Sequence, residues 1–192
     1  MFYIIDPDIC YLEVDEIDFE QVNCPKCGPY PGPRKGGVSL VMTRRNEAVP
    51  VIRTFDRLAF SEYAIRVFRE AGITGWKPLP EKVKIIRRQG AGRVKIPTYH
   101  EIIVTGRAGH VRQYPGIKLD EHCPECGRKS YSDFIGGVTV EMRLWDGSDI
   151  FKIEQFPGYL VTEKFVEVVR NKKMRGLEFI PAEEWRDPFP ES

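Results

Sequence analysis

The sequence predicts an α+β protein made of two pseudo-repeated halves, each a cysteine knuckle with strands and one helix, on mixed or antiparallel sheets. Three recurrences carry this expectation. CPKCG at Cys24 to Gly28 returns as CPECG at Cys123 to Gly127, 99 residues later, and GGVSLVM from Gly36 returns as GGVTVEM from Gly136, 100 residues later. TFDRLAFSEYAIRVFREAGITGWKPLP, ending at Pro80, aligns with EQFPGYLVTEKFVEVVRNKKMRGLEFIP, ending at Pro181, at an offset of 101. Two single-residue insertions in surface turns account for the drift. The organisation expected is a first repeat over 1–85, connecting strands and a basic link over 86–115, and a second repeat over 116–192, all in one compact unit.

Each half reads in the same order: cysteine turn, a strand beginning at Gly37 or Gly137, a second strand, a helix and a closing strand. Ser61 and Thr162 stand where an N-cap hydroxyl is wanted, and Glu62 and Glu163 place a carboxylate at the positive end of the helix dipole. Ala64, Val67, Phe68 and Ala71 recur at helical spacing, as do Phe165, Val168 and Val169, so one face of each helix is core. Gly72, Gly75 and Gly176 end the helices or turn out of them, and GWKPLP and GLEFIP leave as short extended segments. Val38, Leu40 and Met42 alternate with Ser39, Val41 and Thr43, and Val138, Val140 and Met142 alternate with Thr139, Glu141 and Arg143. Both patterns suit a strand covered on one face. KVKIIRR and HEIIVTG read as further strands around the turn-rich RQGAGRVKIPTY.

Composition excludes several classes. At 192 residues with 42% hydrophobic and 30% charged side chains, the chain is neither disordered nor a disulfide-dense miniprotein. A net charge of +1 excludes a globally basic nucleic-acid coat, although charge is segregated locally. Met1 to Val22 hold seven acidic residues and no Lys or Arg, whereas Lys82 to Arg112 hold eight basic residues against Glu101 alone. MFYIIDPDIC has no basic stretch before an apolar run, so neither a signal peptide nor an anchor is expected and the address is cytoplasmic.

In a reducing compartment, cysteines serve more often as metal ligands or redox groups than as disulfides. Cys24, Cys27, Cys123 and Cys126 form two C-P-x-C-G turns, in which two thiolates share one side while backbone N–H groups point at sulfur. Together they offer the four-sulfur tetrahedron of a structural zinc site, about 2.3 Å from the ion, with no position open to water. Because 95 residues separate Cys27 from Cys123, one shared ion requires each half to contribute one knuckle. Binding energy on the order of 10 kcal/mol would then staple the halves. A redox dithiol and two internal disulfides compete, but a thioredoxin-type pair opens a helix, and neither turn precedes a helical pattern. Cys10 reads as a small buried hydrophobe and His122 as an exposed neighbour of the knuckle.

The paired CPxCG turns, with FKIEQFPGYLVTEKFVEVVRNKKMRGLEFIP after them, resemble the double-CXXCG motif family. Members of that family, best known from myxobacteria, are assigned as immunity proteins to swapping-dependent inhibitory toxins. The resemblance implies a protein that binds and occludes a cognate toxin and has no catalysis of its own. No Ser-His-Asp or Cys-His arrangement, phosphate loop or HExxH is present, and His100, His110 and His122 have no partner fixed by spacing. The acidic N-terminal residues Asp15, Glu16, Asp18 and Glu20 are the contact face expected, as mimics of the phosphates a nuclease toxin binds. Two alternatives stand beside this one. The first is a zinc-containing nucleic-acid module using the basic link, with Tyr99 and Tyr114 for stacking. The second is a metal-stabilised subunit of a larger complex.

Overall fold

A computed structural model of the chain describes residues 1–7, 12–42, 49–87, 95–114, 118–132 and 137–186, with the side chains of 7, 12–16 and 42 left aside. Strands β1 (Phe2–Pro7), β2 (Leu12–Cys24), β3 (Gly28–Met42), β4 (Val51–Thr54) and β5 (Arg57–Ser61) precede helix α1 (Glu62–Glu70). After it come β6 (Trp76–Lys82), β7 (Lys84–Arg87), β8 (Tyr99–Val104), β9 (Gly106–His110), β10 (Leu119–His122) and β11 (Lys129–Tyr131). The chain continues through β12 (Ile150–Glu154), β13 (Tyr159–Thr162), α2 (Glu163–Asn171) and β14 (Leu177–Pro181). The architecture is α+β, strand-rich, with two helices among the described residues and both antiparallel and mixed sheets. No helix among those residues is long and apolar enough to cross a membrane.

Two of the sheets follow the same strand order. One runs β4-β5-β8-β6, and within the five-stranded sheet the other runs β12-β13-β1-β14, with β9 added in parallel beyond β12. The registers correspond as well. Tyr99 pairs with Ser61 as Phe2 pairs with Thr162, and Trp76 pairs with Val104 as Leu177 pairs with Pro7. Each set of three consecutive strands is thus completed by a strand from elsewhere in the chain: β8 completes the first and β1 the second. The two matching hairpin turns even share a left-handed residue, Phe55 at φ 66° and Gln155 at φ 71°.

The helices of both sheets meet in one apolar core. Ala64, Ile65, Val67 and Phe68 of α1 and Phe165, Val166 and Val169 of α2 are buried there, with the Phe68 and Phe165 rings 4.8 Å apart. Such burial stabilises by roughly 1.5–3 kcal/mol per large apolar side chain. The backbone approaches closely at Gly75, where a Cβ would lie 2.0 Å from the Ile150 carbonyl oxygen. Beside it Asp149 accepts from the Thr74 N–H at 3.0 Å, the Thr162 hydroxyl at 3.0 Å and the Lys164 ammonium at 3.0 Å. Burial would raise the Asp149 carboxyl, but these bonds outweigh it and hold the group below the usual carboxylate range.

Three local expectations need correction. Ser61 caps α1 by accepting from the Ala64 N–H at 3.2 Å, but the Thr162 hydroxyl makes no cap bond because it donates to Asp149 instead. The strand expected at Gly37 begins earlier, at Gly28, because β2 and β3 pair from the knuckle onward. The strand expected at Gly137 does not form. Val138 and Val140 are buried and Thr139 exposed, so the alternation holds, yet the segment joins no sheet ladder and turns at 142–144. Apolar contact with Ala182 and Trp185 and the Val138 N–H bond to the Ala182 carbonyl anchor it instead.

Candidate metal centre

Both knuckles are hairpin turns. The first joins β2 to β3, with Cys24 opposite Gly28 in the ladder, and the second joins β10 to β11, with His122 opposite Lys129. Gly28 and Gly127 adopt φ of 77° and 72°, and a Cβ on either meets nothing within 4 Å, so the left-handed backbone is what calls for glycine. The Cys27 N–H points at the Cys24 sulfur at 3.4 Å, and the Gly127 N–H closes the second turn on the Cys123 carbonyl at 2.9 Å.

The hairpin tips bring all four sulfurs together. Cys24 Sγ lies 3.8 Å from Cys123 Sγ, Cys27 Sγ lies 4.0 Å from Cys126 Sγ, and the four lie within 4.8 Å of one another. Cys24 and Cys123 are buried, Cys126 is half-buried and Cys27 is exposed. All four are free thiols, and neither knuckle opens a helix. The cluster is compatible with one metal ion.

Its electrostatics point the same way. The backbone N–H of Cys126 and then the Cys27 thiol, by hydrogen bonding, pull Cys123 down to about 6. The hydrogen bond to Cys123, followed by partial desolvation by the neighbouring sulfurs, pushes Cys27 up to about 12. Sulfurs this close cannot all ionise without a cation among them, and a cation bound there would remove the conflict. Tyr30, hydrogen-bonded to Cys126, has its phenol pushed up by that bond, and the Arg128 guanidinium lies 5.4 Å over the Tyr30 ring. The only signal of Tyr30 in the sequence is an aromatic residue on the strand leaving the first knuckle, which the cysteine motif does not single out.

The remaining candidates scatter. His122 is exposed beside Cys123 and outside the sulfur cluster. Cys10 lies outside the described residues, as does the 88–94 part of the basic link. Asp15 and Glu16 lie on β2 with side chains outside the description, while Asp18 and Glu20 are exposed on the same strand, Asp18 opposite Lys35. Tyr99 and Tyr114 are 3% and 5% exposed and donate to the carbonyls of Val49 and Ala108, so neither offers a free ring face for stacking. The chain matches no protein-family model, and no curated protein matches it.

Proposed function

We propose that the four cysteines hold one structural zinc and that the chain is a duplicated docking scaffold, an immunity protein that neutralises a cognate toxin by covering it. The observation that carries the metal reading is the sulfur geometry. A tetrahedron with ligand distances of about 2.3 Å has edges of about 3.8 Å, close to the 3.8 and 4.0 Å separations between the hairpin tips. Cys24, Cys27, Cys123 and Cys126 would ligate the ion, which supplies attachment and no reaction step. Duplication is supported by the matched strand orders and registers, β1 of the first repeat completing the sheet of the second and β8 of the connecting segment completing the sheet of the first.

The identity of the partner rests on the resemblance of the knuckles and tail to the double-CXXCG family. Its contact face is proposed on β2, an edge strand of the β2-β3-β7 sheet whose exposed Asp18 and Glu20 deter self-pairing and attract a basic cleft. The nucleic-acid reading draws no support from Tyr99 and Tyr114, since both are buried. Coexpression with the product of the neighbouring reading frame tests the proposal. Copurification and rescue from toxicity are expected, and replacing Asp15, Glu16, Asp18 and Glu20 by their amides should weaken rescue at least roughly tenfold. Undiminished rescue would move the contact face elsewhere, and no copurification would defeat the toxin reading.

A further inference from the structure

Beside their helices the two matched sheets differ in a way that leaves a groove on the first. In the second sheet Tyr3 of β1 lies against α2, its hydroxyl donating to the Glu163 carboxylate at 2.6 Å and its ring 6.4 Å from that of Phe179. Registers place His100 where Tyr3 stands, Glu62 where Glu163 stands and Pro78 where Phe179 stands. Smaller groups at two of these places leave a groove of about 570 Å³ between α1 and β6, lined by Glu62, Ile65, Arg66, Pro78, Pro80 and His100 among others.

The groove has a chemical cause. Pro78 and Pro80 lack N–H groups, and the β6–β8 register shifts between Pro78 and Lys82. The His100 ring turns toward the Leu79 carbonyl, with Nδ1 at 3.0 Å, and away from the role that Tyr3 plays. Glu62, at the exposed first position of α1, has no hydrogen bond to its carboxylate among the described residues. Ile65, Leu79 and the two prolines form the apolar wall of the groove, and the exposed Glu62, Glu70, Arg66 and Arg69 form its rim, Glu62 holding the place of the carboxylate that Tyr3 meets in the other half.

We infer that this groove receives a tyrosine side chain presented by a protein partner, its ring against Ile65 and the two prolines and its hydroxyl donating to Glu62. The inference rests on the docking reading above and names what the partner presents. Its test uses no toxin, so the two stand or fall separately.

The isotope-labelled chain, titrated with N-acetyl-Gly-Tyr-Gly-amide, is expected to show saturable NMR shifts at Ile65, Arg66 and His100. The phenylalanine peptide should bind roughly tenfold more weakly, because it lacks the donor. His100→Tyr fills the groove from within and should abolish the shifts. Glu62→Gln, on the solvent side of α1, should bring the two peptides to within about twofold of each other. Equal affinity of the two peptides for the unaltered chain, shifts confined to another surface, or undiminished binding by His100→Tyr would overturn the inference. Tighter binding of 4-methylphenol than of the tyrosine peptide would replace the partner chain by a small phenol and overturn it too.

Discussion

The sheet of β4, β5, β8 and β6 and the sheet of β12, β13, β1 and β14 share strand order and helix placement but are covered differently on the face away from the helices. In the second sheet the pair Ile4 and Leu160 lies under Phe156, Trp185 and Val138, an apolar lid with the Phe156 and Trp185 rings 5.0 Å apart. In the first, the matching pair is Glu101 and Ala59. Glu101, 3% exposed, is bound by Arg34 from β3 and by the Thr54 hydroxyl, with Arg57 at 3.6 Å. Arg34 also reaches Asp56 at 2.6 Å, and its side chain is 1% exposed. Ala59 itself packs with Val38 and Leu40 of β3, so one backbone accepts either a wholly apolar cover or an apolar cover with an ionic lattice set into it. Through Arg34 that lattice ties the long hairpin that carries the first knuckle to the sheet. Desolvation makes such a lattice a poor source of net stability, but each of its members depends on the others.

The largest effect expected from breaking this contrast comes from removing one partner. Arg34→Met should cost about 3–5 kcal/mol in denaturant unfolding, because Glu101 is left charged and buried. Adding Glu101→Ile, the aliphatic residue found at Ile4, should return stability to within about 2 kcal/mol of the original. A cost below about 1 kcal/mol for the single change would mean that the lattice is solvated.

A smaller effect belongs to the junction between the sheets. Because the Asp149 carboxyl lies below its ordinary value when folded, its contribution is complete above the unfolded value of about 3.9 and fades as pH falls through the depressed folded value. Asp149→Asn should therefore destabilise the protein at pH 7 and flatten the acid limb of its stability curve. An acid limb of unchanged slope would assign it to other carboxylates.

The smallest effects compare the two helix caps. Ser61→Ala should cost about 1 kcal/mol at any pH, through loss of the bond to the Ala64 N–H. Thr162→Ala removes a donor to Asp149 instead, so its cost should shrink in acid as that carboxylate protonates. Parallel pH profiles for the two variants would contradict the distinct roles of the two hydroxyls.

Sequence periodicity disclosed the helices, β6, β8, β14 and the four-sulfur set, because spacing along a chain reports which residues share a face or a turn. It did not disclose that β1 and β8 complete the sheets of distant strands, since that pairing joins Phe2 to Thr162 across 160 positions. Nor did it reveal the Arg34–Glu101 lattice: Arg34 reads as one more surface charge until β3 lays it across the sheet. The Gly137 segment failed for a related reason. Alternation there arises from packing on Trp185 and Ala182, and a period of two does not require a ladder.

X-ray absorption at the zinc edge of the purified protein tests most directly whether the distant knuckles share one ion. The expected result is one zinc per chain with four sulfur neighbours at about 2.3 Å, lost together when Cys123→Ser is introduced. A shell of fewer than four sulfurs, or a Cys123→Ser protein that keeps its zinc unchanged, would contradict it.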